Sequence, residues 1–542
     1  MLSVYGRPGL LDLPPEMWLL IGVHLLGDPA SLKNFAELNR HAFILINTIL
    51  YEEVSHPNAL HTLALSKDNR GQIAKAHHPA AFVKHLELDF QHPERYNWTK
   101  SLLFEEAFRR AFSNIIEHAR MGRDRKTPAL TTLTINCSAT FLQLFKDIDF
   151  TPFLFEMISI KCLPTPNSKE CVDEWCGILG KMLKPCLQHL VFFVGDDATG
   201  ETPLSAHHSS TILHQIHYFA FNLQVLDFAV PGPPDDEADE VIVSTLNKTL
   251  SEIYFPRLSS FTIRIHWGLL DAVENLDITP FLRRHSLLVY LHCDMSTVDS
   301  GYNLIKGPLS SDDLPKLARY RGLLDDYLTL CADMGAGRFH TLHFNHGESI
   351  QADIEERLIE CLENRGENIA ALEFDGRSRM KRDRSSRWLD FALPIITYER
   401  IFKACTNLTM LACNVNTESL EAGFIKLIAR YLPKLEALTV TLVDTREATF
   451  ENGVLDFSRI ISSVIYMGRS VLLFPAVMSH VHPSVMENHW AFWSYRLRIG
   501  GSLASRVPAG TTIRNSKQGF KMMGGIWKLG AVSETVRSRI ID

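Results

Sequence analysis

A short apolar pattern, L-x-x-L-x-L or a near variant, recurs eleven times between residues 83 and 442. Repetition on that scale restricts the possible folds more than any other feature of the chain. It reads VKHLELDF at Val83, LTTLTINC at Leu130, FEMISIKC at Phe155, LQHLVFFV at Leu187, LQVLDFAV at Leu223 and LSSFTIRI at Leu258. It continues as SLLVYLHC at Ser286, FHTLHFNH at Phe339, IAALEFDG at Ile369, LTMLACNV at Leu408 and LEALTVTL at Leu435. Period-two alternation, as in Leu86, Leu88 and Phe90, makes each copy a strand with one inward face. The segments between them, such as SLLFEEAFRRAFSNIIEHARMG and IQADIEERLIECLENRG, carry helical periodicity. Strand and helix therefore alternate, which predicts an α/β fold with a parallel sheet.

Such a sheet can close into a doubly wound enzyme or stay open as a solenoid. The central residues of the copies, from Leu86 through Val289 and Leu342 to Leu438, stand 25 to 53 residues apart. Short strands at irregular spacing favour the open form. No strand is followed by GxGxxG or GxxxxGK[ST], and HExxH and GxSxG are absent as well, so the usual phosphate cradles, zinc helix and nucleophile elbow are missing. His340 and His343 in HTLHFNH would project to opposite faces of a strand and could not share an ion. HVH at His480 to His482 has no acid or cysteine at ligand spacing. We expect no catalytic residue, no metal and no cofactor. The balance of 55 basic against 62 acidic side chains, net −7, points away from nucleic acid as an obligatory partner.

The amino-terminal stretch LLDLPPEMWLLIGVHLLGDPASLKNFAELNR reads as a separate helical module. Pro14, Pro15 and Glu16 suit a helix start, and Met17, Trp18, Leu20, Ile21, Leu25 and Leu26 follow at helical spacing. Gly27 ends that helix, Asp28 is placed to cap the next, and Pro29 fits its first position. Leu32, Phe35, Ala36 and Leu38 form a second stripe, and Phe43 to Tyr51 a third helix apolar on more than one face. So small a module shields only part of its apolar surface, and some faces want a partner. The opening MLSVYGRPGLLDLPPE lacks a basic, then apolar, export pattern, and no run of about 18 apolar residues follows anywhere. These point to a cytoplasmic or nuclear chain that has no membrane partner and keeps its ten cysteines reduced.

The order LPxE, an apolar pair, a helix started by DP, then L-N-R and a terminal L-Y resembles an F-box of the variant frequent in fungal proteins. Its carriers here are Leu13, Pro14, Glu16, Ile21, Leu25, Leu32, Leu38, Asn39, Arg40, Leu50 and Tyr51. The resemblance implies a trihelical domain that docks a Skp-family adaptor through these residues and, through it, a cullin carrying a ubiquitin-conjugating enzyme. Where many relatives place a tryptophan after Arg40, this chain has Phe43. The repeats resemble leucine-rich repeats in an open horseshoe, so the whole is similar to F-box/LRR substrate receptors of SCF-type ubiquitin ligases, which need no catalytic residue or cofactor of their own. In that architecture the residues alternating with the core line the concave face and would hold a protein target: His85, Glu87, Asp89, Asp227, Arg264, His343, Glu373 and Asp375, with others such as Lys161, Met410 and Asn414. Two alternatives stay open: a scaffold that binds the adaptor without ubiquitin transfer, and an α/β enzyme lacking a recognisable motif.

These readings divide the chain into an F-box at 10–55, a helical linker at 56–80, a leucine-rich-repeat-like solenoid at 81–445 and a carboxyl-terminal cap and tail at 446–542. Within the repeats, VPGPPDDEADE from Val230 reads as a solvated acidic loop. DGRSRMKRDRSSR from Asp375 is a basic run able to grip phosphate or resemble a nuclear-import patch. Trp490, Phe492, Trp493 and Tyr495 would cap the last repeat, ahead of a loosely packed tail, NSKQGFKMMGGIWKLG.

Overall fold

The structure, a computed structural model, describes residues 15–25, 28–36, 38, 46–55, 59–64, 78–90, 102–121, 127–138, 143–163, 169–194, 206–230, 239–265, 275–294, 303–334, 338–345, 352–375, 393–416, 419, 422–443, 470–476, 494–500, 521–523 and 526–528. It divides into two compact units, Met1–Leu276 and Asp277–Asp542. The division falls inside the stretch expected to be one solenoid.

In the first unit, helices α1 (Pro15–His24) and α2 (Pro29–Ala36) and a helical segment at 46–50 precede strand β1 (Glu53–Val54) and helix α3 (Ala59–Ala64). Strands β2 (His85–Phe90), β3 (Thr132–Ser138), β4 (Met157–Leu163), β5 (His189–Val194), β6 (Val225–Val230) and β7 (Ser260–Ile265) follow, with helices α4 (Leu102–Met121), α5 (Gln143–Lys146), α6 (Lys169–Met182), α7 (Ala206–Phe219) and α8 (Asp239–Glu252) between them. Every strand lies parallel to the one before it in the chain, in an open sheet ordered β1 to β7. The core lies on the face that carries Leu86, Leu133, Ile158, Leu190, Leu226 and Phe261, all buried in register. A cluster of phenylalanines thickens it: Phe108 and Phe112 of α4, Phe145 of α5, and Phe150, Phe153 and Phe155 of the segment entering β4, each at most 1% exposed.

The second unit repeats the design with α9 (Thr279–Arg283), β8 (Tyr290–Asp294), β9 (Arg319–Gly322), α10 (Leu324–Met334), β10 (Thr341–Asn345), α11 (Ala352–Arg365), β11 (Ala371–Asp375), α12 (Ile395–Ala404), β12 (Met410–Asn416), α13 (Phe424–Tyr431) and β13 (Ala437–Val443). Strands β8 to β13 are again parallel and ordered along the chain. Two antiparallel hairpins follow, β14 (Ser470–Ala476) with β15 (Ser494–Gly500) and β16 (Lys521–Met523) with β17 (Ile526–Lys528). The second hairpin lies within the stretch expected to be a loose tail. Trp490, Phe492 and Trp493, the acidic loop after Val230 and the basic run after Asp375 lie outside the described residues.

Two local devices recur along the repeats. A tight turn sets the first leucine of the pattern: the N–H of Leu187 donates to Lys184 O at 3.0 Å, that of Leu258 to Phe255 O at 3.1 Å, and those of Leu317 and Leu435 to Leu314 O and Leu432 O at 3.2 Å. Proline holds the second position of these turns, at Pro185, Pro256, Pro315 and Pro433, where its fixed φ matches the turn. One carbonyl then accepts two successive N–H groups of the next repeat, as Thr131 O does from Glu156 and Met157 at 2.8 and 3.2 Å, and Ala370 O from Thr409 and Met410 at 2.8 and 3.0 Å. The sheet is thus fixed by backbone, and side chains are left to vary.

All eleven predicted strands are present, with two corrections. The copy at Ser286 centres on Leu291 rather than Val289: Leu288 and Leu291 are buried, whereas Val289 is half-exposed. Three apolar residues in a row satisfy both phases of a period-two pattern, so the sequence leaves the phase open. The long step from Val289 to Leu342 contains β9, whose sequence RYRG, entered through Leu317 and Ala318, departs from the pattern. There Tyr320 occupies the central buried position and donates its hydroxyl to Leu323 O at 2.8 Å.

Gly322 ends β9 at φ +153°, and a Cβ there would stand 2.8 Å from Cys293 O and 2.6 Å from Tyr320 Oη. Backbone oxygen cannot retreat cheaply, so Gly322→Ala is expected to cost about 1–3 kcal/mol, read as a lowered urea midpoint. An unchanged midpoint would show that β9 can shift away from β8.

Candidate functional site

Two surfaces qualify, and each is built from elements already described. In the amino-terminal module, Trp18, Leu32, Phe35 and Ile46 form a core of their own, with Ile21, Leu25, Ile49 and Leu50 packed against it. The Trp18 and Phe35 rings stand 4.9 Å apart. Gly22 lets the segment at 46–50 come close, since a Cβ there would meet Ile46 Cδ1 at 2.6 Å. Asp28 accepts from the Ser31 N–H at 3.2 Å and from its hydroxyl at 2.6 Å. That is the predicted cap, and it fixes the start of α2.

This packing sorts the residues expected to dock an adaptor. Leu32 is buried, and Ile21, Leu25 and Leu50 are half-buried against the same core, so they shape the module and offer a partner little or no area. Tyr51 is half-buried and Leu38 is 50% exposed. Leu13, Pro14 and Arg40 lie outside the described residues, as does the side chain of Glu16. Met17, at 42%, and Leu20, at 50%, are large apolar side chains left on the surface of α1. Sequence reasoning assigned both to the helix stripe without separating inward from outward positions, because α1 is apolar nearly all round.

The second surface is the sheet face opposite the core. In the first unit the register aligns His85, Thr132, Met157, His189, Val225 and Ser260 in one row and Glu87, Thr134, Ser159, Val191, Asp227 and Thr262 in the next. His85 and Glu87 are exposed and Asp89 half-buried. Asp227 and Arg264 form a two-pronged pair, Nε to Oδ1 at 2.8 Å and Nη2 to Oδ2 at 2.6 Å. These two predicted contact residues therefore neutralise each other across β6 and β7.

In the second unit one row reads Tyr290, Arg319, Thr341, Ala371, Met410 and Ala437. The next reads His292, Arg321, His343, Glu373, Ala412 and Thr439. His343 is 9% exposed and its Nδ1 lies 2.9 Å from Glu373 Oε2, so these two predicted contact residues meet each other directly. Asp375 stands one row further, beside Asn345; its side chain is not described. His340 lies off this face, its Nδ1 3.1 Å from Asn368 O. His292, Arg319 and Arg321 were missed at the sequence level, the first by the displaced register of β8 and the others because β9 departs from the repeat. Pro315, two residues before Leu317 as Pro185 is before Leu187, is the signal that could have found β9.

Among the described residues no group of histidine, cysteine and acid could hold a metal ion. No described helix is long and apolar enough to cross a membrane. No family model matches the chain, and no curated protein matches it.

Proposed function

We propose that the chain is the substrate-recognition subunit of an SCF-type ubiquitin ligase, cytoplasmic or nuclear. In this reading the amino-terminal module is an F-box that docks a Skp-family adaptor and, through it, a cullin. The parallel strands are leucine-rich repeats, and their polar face holds a protein target. The chain supplies no catalytic group. Its contribution is proximity: holding a target lysine beside the charged conjugating enzyme raises the effective concentration of the partners.

The observation that carries this reading is the division of labour in the module. A helical domain with its own core leaves Met17, Leu20 and Leu38 on its surface. Covering such side chains is worth about 1.5–3 kcal/mol each, enough for a docking contact. The double variant Met17→Asp, Leu20→Asp is expected to weaken adaptor binding at least about 100-fold and to lose cullin with it, at unchanged helical content. Co-purification of the full chain with adaptor and cullin reads this. Adaptor without cullin would favour a scaffold, and no adaptor captured by the unaltered chain would overturn the assignment.

A further inference from the structure

The row across β8 to β11 contains a cation that, among the described residues, no carboxylate compensates. Arg321 is half-buried between His292 and His343, its register partners on the two neighbouring strands. Its Nε is buried and makes no hydrogen bond. Arg319, two residues earlier on the same face, adds a second guanidinium, and among the described residues no carboxylate pairs with either. Glu373, the acid of this row, is engaged by His343. Other partly buried guanidiniums have acceptors: Arg264 has Asp227, Arg338 has Ser311 O and Leu314 O, and Arg400 has Glu356 and Glu363. Burying part of a guanidinium without an acceptor is costly, and an anion removes that cost.

We propose that Arg321, with Arg319, His292 and His343 around it, binds a phosphate monoester. Donors on three adjacent strands, each about 4.8 Å from the next, suit a tetrahedral group with three terminal oxygens better than a planar carboxylate with two. Arginine is the side chain whose donors match phosphate oxygens in pairs. A role in target selection rests on the receptor reading; the anion site itself does not.

The test uses the full chain with three probes: inorganic phosphate, a phosphoserine peptide and its unphosphorylated twin. Calorimetric titration is expected to show saturable phosphate binding that falls at least about tenfold in Arg321→Gln. Arg321→Lys should fall between the two, because it keeps the charge and loses the fork. Arg400→Gln, which removes a guanidinium of α12 already paired with Glu356 and Glu363, should leave it unchanged. Tighter binding of the phosphopeptide than of phosphate assigns the anion to a protein side chain, and equal binding assigns it to a free phosphate compound; both support the site. No saturable binding, or equal binding by Arg321→Gln shown by circular dichroism to be folded, overturns it. Adaptor capture by the same variants is a separate readout, so failure here and failure of the receptor reading remain distinguishable.

Discussion

Replacing Phe112 with alanine is expected to destabilise the first unit by about 3–5 kcal/mol, the range for emptying a fully buried aromatic site. Its ring lies 5.0 Å from Phe108, 6.4 Å from Phe145, 6.2 Å from Phe150 and 6.5 Å from Phe153, mostly edge to face. Such pairs add about 0.5–1.5 kcal/mol beyond the area they cover. The neighbours come from α4, α5 and the segment before β4, and their rings are already packed against one another, so the cavity cannot collapse freely. Urea unfolding followed by far-ultraviolet circular dichroism would read the change. Because each repeat touches chiefly its neighbours, the loss should fall on the first unit's transition. A shift below about 1 kcal/mol would mean that the cluster repacks, against the density of buried rings seen here.

The second large effect is expected at Asp326, in the first turn of α10. Its side chain is fully buried, and Oδ1 accepts from the N–H groups of Leu304 and Ile305 at 2.8 and 3.0 Å. Burial pushes its carboxyl up from 3.8 to about 7, in spite of those two bonds, and the charge of neighbouring Asp325 acts in the same direction. The folded protein therefore holds this proton more tightly than the unfolded chain does. Its contribution to stability is fully present below about pH 4 and is lost as pH rises through about 7, the sign opposite to that of a salt-bridged carboxylate. Asp326→Ala leaves two buried N–H groups without their acceptor and should cost about 2–4 kcal/mol at pH 5, less at pH 8 where the native carboxylate is itself penalised. Asp326→Asn keeps an oxygen acceptor and cannot ionise, so its urea midpoint should vary less between pH 5 and 8 than that of the unaltered chain. If the slope survives in Asp326→Asn, the proton responsible lies elsewhere.

Neither residue was visible as important in the sequence. Phe112 sits in FRRAFSNII, where helical spacing marks an inward face without saying what that face meets. Its partners arrive from segments up to Phe153, because the chain must close each repeat before entering the next strand. Asp326 looks like an ordinary acid at a helix start, a place where carboxylates are favourable and usually wet. What buries it is the segment carrying Leu304 and Ile305, some twenty residues upstream.

The candidate site was legible to a similar depth. Alternation along each strand correctly placed His85, Glu87, Asp227, His343 and Glu373 opposite the core positions, since period two is local and needs no knowledge of neighbours. Which of them neutralise one another was not legible. Asp227 and Arg264 are separated by a helix and meet only because β6 and β7 pair in register. In the amino-terminal module, Leu32 and Leu38 are equally leucine to a sequence reader. Only the packing of the segment at 46–50 onto α1 and α2 sends one inward and leaves the other on the surface.

Determined by the sequence alone, then, were the alternation of strand and helix, the phase of ten of the eleven recognised strands and the cap at Asp28, because hydrophobic period, turn proline and cap chemistry act within a few residues. Only the tertiary structure decided the division at Leu276, the presence of β9, the neutral pairing of Asp227 with Arg264 and the placing of the Arg321 guanidinium where, among the described residues, no carboxylate pairs with it. Each of these depends on which distant strand lies alongside, and the burial that raises or removes the cost of a charge exists only after the sheet has formed.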